Sequence, residues 1–523
     1  MDRYAIPPGP TLQAEGFVAT LVALMLLSEA AGLASTKDPV SQGLVGIIIA
    51  AVFVLLALEK AHRVLVIFGA VALLWMITYL TPYRLISFEA AQQHLDLNVI
   101  FLLGAMMAVV AVLKTTGVFA YAVARLLRIS GGRPLLIMAV LVWFTGLVSA
   151  VADNVTTVIF VTPMALAIAA QIRIRPAALL LPMIMAANIG GTATLIGDPP
   201  NILIGSGAGL SFLDFVVNLT LPVFTMMVAL EWFTSRYYRT EFGAAVQRID
   251  PETLPMPVLS EITMLRWGLG VSAGIFIGFF THTITGMPAA IPAIVGAAVL
   301  LIVQDVLYLR TRSASLQERV HGILHVIERE IEWPTLVFFG LLFIAVGAAV
   351  ETGLIDTLSQ SLAAFINWGQ ANWALSPNGT LLFAALLILW VSGALSALID
   401  NIPYVAVTIP IIASLVGRLT GDTEVLWWAL SLGACLGGNG TLIGASANVT
   451  VVGLAEKAKE HISFGQFARF GSRVAVITLV ISSAFIVSHI YLSPAATHLA
   501  SAAVFGTAFL VRLAFIRSTA RSR

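Results

Sequence analysis

The sequence predicts an all-α polytopic membrane protein of two inverted repeats, with re-entrant hairpins, interrupted helices and about twelve crossings. Three observations carry this reading. Long apolar runs are separated by short charged clusters, Lys and Arg gather in alternate clusters, and a set of Gly, Asp, Asn and Pro motifs recurs at a constant offset.

The apolar runs come first in the argument. Of the 523 residues, 59% are hydrophobic and 11% charged, whereas a soluble domain carries about 25% charged residues. Most of the chain must sit in lipid. A bilayer core takes roughly 17 to 25 apolar residues per helix. Crossings are therefore predicted near 16 to 34, 43 to 58, 64 to 80, 98 to 113, 176 to 206, 215 to 235, 265 to 283, 288 to 308, 335 to 350, 425 to 457, 472 to 492 and 496 to 514. Two further pairs of apolar segments, about 135 to 152 with 155 to 170 and 380 to 399 with 402 to 418, are each cut by a tight polar turn. These are predicted as hairpins that enter the membrane and return.

The first crossing has a second reading as a cleaved signal peptide, because AAGLAS (30 to 35) offers small residues for cleavage. The segment before it holds one Arg, one Asp and three prolines. That is a poor positive n-region, so a retained helix is favoured. The chain then divides into an extra N-terminal helix (1–40), a first repeat (41–240), a cytoplasmic linker (241–263), a second repeat (264–492) and a C-terminal helix with a basic tail (493–523).

Charge tests the map, since Lys and Arg collect on the cytoplasmic side. With both termini cytoplasmic, 25 of the 28 Lys and Arg fall in cytoplasmic segments, leaving Lys37, Arg84 and Arg418 outside. Moving one crossing would invert every later loop and destroy the bias. The expected location is a cell inner membrane, with lipid as the constant partner.

Composition also excludes function classes. A net charge of +1 gives no reason for a nucleic-acid partner. The single cysteine, Cys435, rules out a disulfide framework and a multi-thiolate metal site. HExxH, GxSxG, CxxC and GxxxxGK[ST] are absent, so no metalloprotease, serine hydrolase, thiol redox or P-loop ATPase motif is available. No cofactor or bound metal is expected. Energy for any transport would come from an ion gradient, H+ or Na+, unless a partner chain supplies an ATPase subunit.

The repeat is visible residue by residue. Trp143, Gly146, Ser149, Asp153, Asn154 and Pro163 match Trp390, Gly393, Ser396, Asp400, Asn401 and Pro410, each 247 positions on. The same offset carries GGTATLIGDPPN (190 to 201) onto GGNGTLIGASAN (437 to 448) without a gap. Thr116-Gly117 also recurs as Thr352-Gly353, and Gly104 as Gly340. Five crossings separate corresponding starts, so the copies face opposite ways. In this plan interrupted helices meet near the bilayer midplane and form a site at the repeat interface, which implies secondary transport.

The broken segments are where chemistry is expected. In lipid an unpaired backbone polar group costs several kcal/mol, so non-helical backbone survives only when buried in protein or lining a wet cavity. In GGTATLIGDPPN the glycines weaken the helix and the prolines delete donors, while Thr194 and Asn201 offer replacement partners. The second copy keeps Thr441 and Asn448 but replaces Asp198-Pro199-Pro200 with Ala445-Ser446-Ala447. The two half-sites need not be equivalent.

The hairpin tips read SAVADNVTT (149 to 157) and SALIDNIPY (396 to 404). Asp153 and Asp400 could simply cap the helices that follow. Depth favours a second role, because a carboxylate in the membrane interior is costly and marks an ion or proton pathway. The substrate or ion site is therefore assigned to Ser149, Asp153, Asn154, Thr194, Gly197 and Asn201 with Ser396, Asp400, Asn401, Thr441, Gly444 and Asn448. Asn188, Asp198, Asn439 and Cys435 form a second rank, with Cys435 read chiefly as small-residue packing. Glu29, Glu231 and Asp305 lie toward span ends, where snorkelling is the ordinary explanation, and His282 is read as structural or solvated. Each tip is expected beside the broken segment of its own repeat, with Asn154 near Gly197 and Asn201, and Asn401 near Gly444 and Asn448.

At these motifs the chain resembles the ion transporter superfamily, in the branch of the arsenical pump membrane protein (ArsB), the NhaD-type sodium/proton antiporters and the melanosomal P-protein. ANIGGTATLIGDPPN (187 to 201), DNIPYVAVTIP (400 to 410) and ACLGGNGTLIGASAN (434 to 448) carry the likeness, which covers about Asn98 to Arg473. The resemblance implies a scaffold with oligomer contacts, such as a homodimer, and a mobile domain holding hairpins and broken helices. The dicarboxylate branch has Ser-Asn-Thr at its tips. Here the tips are Asp153-Asn154-Val155 and Asp400-Asn401-Ile402 without Lys or Arg, which argues against an anionic dicarboxylate. The resemblance implies proton-coupled efflux of arsenite or antimonite as the leading expectation, after the name most bacterial members carry, and uncharged arsenous acid would suit Asn, Thr and Asp groups. Sodium/proton antiport is the alternative, with carboxylates, Asn oxygens and backbone carbonyls around a hard cation. A channel or membrane enzyme finds no support in a pore-like repeat or catalytic constellation.

Overall fold

The computed structural model describes residues 37–58, 60–245, 259–311 and 326–521. The predicted crossing near 16 to 34, with Glu29, lies outside them, as do parts of the linker and of the 309 to 334 loop. Among the described residues the secondary structure is helical, and eleven helices are long and apolar enough to cross a membrane. Nine are crossings predicted as single helices, and two, Asn154–Ile172 and Pro377–Ser396, are arms of the predicted hairpins.

The chain forms two compact units. One comprises the described residues up to Leu95 together with Gly340–Leu358. In it Pro39–Ala57 packs on Arg63–Leu80, and His94 Nε2 meets Glu351 Oε1 at 3.0 Å beside Gly347. The other unit, Asp96–Phe339 with Ser359–Arg523, holds both hairpins and both broken helices.

Two segments read as connections turn out to be helical, Val118–Ile129 and Leu354–Trp373. Each follows one of the repeated Thr-Gly pairs. Gly117 and Gly353 take φ of +74° and +76°, a left-handed turn that costs other residues about 1–2 kcal/mol. Thr116 and Thr352 close the preceding helices by donating to Leu113 O and Ala348 O at 2.6 and 2.7 Å. The Thr-Gly repeat is thus a helix stop and a change of direction.

The first hairpin is Pro134–Ser149 and Asn154–Ile172, and the first broken helix is Ala177–Gly191 and Pro199–Ala208. Their counterparts are Pro377–Ser396 with Asn401–Val416, and Val425–Gly437 with Ser446–Lys457. The first half of each broken helix packs along the first arm of its own hairpin. Glycine permits this: a methyl on Gly190 would strike the Gly146 backbone, and one on Gly437 the Gly393 backbone. The second halves cross over. Pro199–Ala208 packs on Asn401–Val416, and Ser446–Lys457 on Asn154–Ile172, so each repeat completes the hairpin of the other.

Candidate functional site

Both hairpin tips have the same backbone. Asp153 (φ −49°, ψ 140°) and Asp400 (φ −50°, ψ 133°) sit at the helix N-caps. Asp153 Oδ2 accepts from the Thr156 N–H at 2.9 Å and from its hydroxyl at 3.1 Å, while Asp400 Oδ1 accepts from the Ile402 N–H at 3.1 Å. The capping role foreseen in the sequence is therefore real. Asp400 Oδ2 also accepts from Ser446 Oγ at 3.2 Å, and Glu332 lies within electrostatic reach of Asp153.

The skeleton around the tips is duplicated closely. Ser149 Oγ donates to Ala187 O at 2.7 Å and Ser396 Oγ to Ala434 O at 2.5 Å. Thr194 Oγ1 donates to Ala150 O, and Thr441 Oγ1 to Ala397 O. Asn201 Nδ2 donates to Thr192 O and Thr194 O at 3.1 and 2.9 Å, and Asn448 Nδ2 to Gly438 O and Thr441 O, both at 2.9 Å. These bonds satisfy carbonyls left open where the helix stops. A Cβ on Gly197 would lie 2.7 Å from Ser149 O, and one on Gly444 2.8 Å from Ser396 O, so both breaks press on the hairpin tips.

The two copies part at the start of the second half-helix. Asp198 (φ −142°, ψ 131°) and Ala445 (φ −154°, ψ 142°) share one extended backbone at the N-cap. An Asp there would ordinarily accept a backbone N–H from the second or third helical residue. In the first copy Pro199 and Pro200 have no N–H, and the Asn201 N–H is taken by Asp198 O at 2.9 Å. The carboxylate has no cap to make and turns to the side chains of the site. Asp198 is 1% exposed, its Oδ1 accepts from Asn154 Nδ2 at 3.4 Å, and its Oδ2 is buried without a hydrogen-bond partner. Asp153 and Asp400 both lie within its electrostatic reach, and the Cys435 thiol lies beside it.

Amides then join the repeats. Asn188 Oδ1 accepts from Asn154 Nδ2 at 3.2 Å, and Asn188 Nδ2 donates to Asn439 Oδ1 and Asn448 Oδ1 at 2.9 and 3.0 Å. Asn201 Oδ1 accepts from Ser431 Oγ at 2.7 Å and lies 3.6 Å from Cys435 Sγ. All of these side chains are buried. The structure thus brings Asn154 against Asn188 and Asp198 of its own repeat. On the second tip Asn401 Nδ2 is buried without a hydrogen-bond partner, while Asn448 Oδ1 is engaged across the repeat interface by Asn188 Nδ2. Asn439 Nδ2 is likewise buried without a partner.

The order of importance suggested by the sequence changes accordingly. Asn188, Asp198 and Asn439, placed in the second rank, stand at the junction, whereas Ser149, Ser396, Thr194 and Thr441 bind backbone. Ser431, Ser446 and Glu332 are neighbours that sequence reasoning missed. Ser431 is a lone hydroxyl in the apolar run WWALSLGACLG, and nothing local marks its partner. Among the described residues no Lys or Arg pairs with Asp153, Asp198 or Asp400, and no group of three His, Cys, Asp or Glu could hold a metal ion.

Apolar helices long enough to cross a membrane, together with duplicated broken helices and a buried polar junction, define a multi-pass membrane transporter. Residues 53–433 match CitMHS, described as a citrate transporter, and the chain belongs to that family of the ion transporter superfamily. Among its relatives is an uncharacterized transporter of Mycobacterium tuberculosis, 36% identical over 447 residues, which cover 84% of this chain and 96% of that protein. The P protein of Homo sapiens is 30% identical over 528 residues, covering 85% of this chain and 59% of P protein. The crystal structure of the YdaH transporter of Alcanivorax borkumensis, reported to have an unusual topology, aligns with a TM-score of 0.53 at 15% identity, covering 86% of this chain and 98% of that one. That likeness concerns the fold.

Proposed function

We propose that the protein is a secondary active antiporter that exchanges a cation for protons, with sodium as the first cation to test. The observation that carries this reading is Asp198, a buried carboxylate released from capping by Pro199-Pro200, facing the Asn154 amide within electrostatic reach of Asp153 and Asp400, with no basic partner among the described residues. A carboxylate in the membrane interior is costly unless something positive accompanies it. A proton or a hard cation does so, with Asn oxygens and second lone pairs of the carbonyls at the helix breaks completing its shell. Positive half-helix N-termini at Pro199 and Ser446 temper the charge. The basic segments favour a cytoplasmic face bearing residues 114 to 134 and 456 to 473, in a cell inner membrane.

Efflux of arsenite or antimonite is the second reading, favoured by the Cys435 thiol beside Asp198 and by amide donors suited to uncharged arsenous acid. A bare polycarboxylate such as citrate meets three carboxylates and no Lys or Arg here, so it would have to bring a cation with it. Everted vesicles carrying the protein separate these cases. Sodium-driven proton movement that disappears in Asp198→Asn supports the proposal. Response to arsenite with silence toward sodium replaces it by efflux, and a response to citrate alone overturns both.

A further inference from the structure

Trp143, on the first arm of the first hairpin, donates its indole N–H to Glu231 Oε2 at 3.1 Å. The other oxygen of Glu231 accepts from Arg512 Nε at 2.9 Å. Glu231 and Arg512 are each 4% exposed. Glu231 is therefore no snorkelling residue at a span end, the role the sequence suggested, but the middle of a buried chain linking three helices, Pro134–Ser149, Phe212–Tyr237 and Pro494–Arg521. Rings surround the chain: Trp143 meets Phe224 and Phe509 edge-on, and Phe505 lies against both phenylalanines.

One turn beyond Trp143, Gly146 fits against Met227 and against Gly190 of the broken helix, leaving no slack between this anchor and the amide junction. The second hairpin has the matching tryptophan and a weaker anchor. Trp390 is 40% exposed and donates to the neutral hydroxyl of Ser483 at 3.1 Å, and its neighbour Gly393 meets the side chain of Leu479. A charged acceptor already held by a cation makes a stronger hydrogen bond than a neutral one in contact with the surroundings.

We propose that Glu231 and Arg512 are positioning residues that clamp the first hairpin to the C-terminal helix, so that the first hairpin is held more firmly than the second. The C-terminal helix then belongs to the transport machinery. This goes beyond the proposed exchange and does not depend on which solute is carried.

The test compares two equivalent buried positions, Thr145→Cys and Ser392→Cys, by maleimide labelling in native-lipid vesicles. The native Cys435 is fully buried, and the unsubstituted chain is the control. Because labelling of a buried thiol follows local opening, Arg512→Met is expected to speed labelling at 145 by about tenfold and to leave 392 within about twofold. A lone buried Glu231 could prevent folding, so the double variant Glu231→Gln with Arg512→Met removes both charges, and Trp143→Phe removes only the indole donor. Both should fold at native yield and still show fast labelling at 145, whereas Trp390→Phe should alter 392 less. Slow labelling at 145 in the folded double variant, or equal acceleration at 145 and 392, overturns the proposal.

Discussion

The segments GGTATLIGDPPN and GGNGTLIGASAN have one backbone and two chemistries. Both stop the helix with paired glycines, tie the break to the hairpin through a threonine and cover it with an asparagine. They differ where Thr192-Ala193 corresponds to Asn439-Gly440 and, more sharply, where Asp198-Pro199-Pro200 corresponds to Ala445-Ser446-Ala447. One copy frees a carboxylate by removing the donors that would have capped it. The other has no carboxylate at that point and instead sends Ser446 to the carboxylate of its hairpin tip, Asp400. Duplication thus preserves what holds non-helical backbone inside a membrane, while divergence at Asp198-Pro199-Pro200, and at Thr192 against Asn439, changes the polar groups offered to the site.

The largest effects should come from the charged side of this contrast. Asp198→Asn is expected to abolish coupled flux in proteoliposomes, and Asp153→Asn and Asp400→Asn to do the same while keeping their caps, because Asn retains the accepting oxygen and loses the charge. Full proton-coupled flux in Asp198→Asn would make the asymmetry incidental. Next come the shared glycines. Gly190→Ala and Gly437→Ala push a methyl into a facing backbone, and each should destabilise by at least about 1–3 kcal/mol, read as thermal unfolding in detergent. A large gap between the two would mean that the skeletons are less alike than their hydrogen bonds.

A subtler substitution tests why Asp198 is free. Pro200→Ala returns one backbone N–H to the helix start, and the carboxylate should turn to cap it. Stability should rise by about 1 kcal/mol while coupled flux falls. Unchanged flux would show that the prolines do not set the carboxylate's direction. The smallest effect is expected at Cys435→Ser, where a hydroxyl replaces a thiol beside Asn201 and Asp198. A hydrogen-bond change of about 1 kcal/mol at most should leave transport largely intact. Complete loss in a folded protein would identify the sulfur as a ligand and favour the arsenite reading.

The helices, hairpins and breaks were legible because each is marked locally, by apolar length, by Gly and Pro, or by Asp-Asn at a tip. The exact offset between copies made the duplication plain without any coordinates. Val118–Ile129 and Leu354–Trp373 were missed because amphipathic helices, with apolar positions interrupted by polar ones, read as connections. Asp198 was undervalued for a related reason: an Asp before Pro-Pro reads as a turn, and only the extended backbone and the spent Asn201 N–H reveal that its carboxylate has nothing to cap.

What the sequence by itself determined is the lipid-facing bulk, the duplicated plan and the points where backbone must leave the helix, since these follow from residue type and spacing along one stretch of chain. Tertiary structure alone decided that Asn188 joins Asn439 and Asn448, that Ser431 serves Asn201, that each half-helix packs on the opposite hairpin, and that Arg512 reaches Glu231. Those pairings connect residues more than 200 positions apart. Amide and hydroxyl groups bond to many partners equally well, so their choice is made by packing, when burial removes water and leaves each polar atom only the neighbours the fold has brought to it.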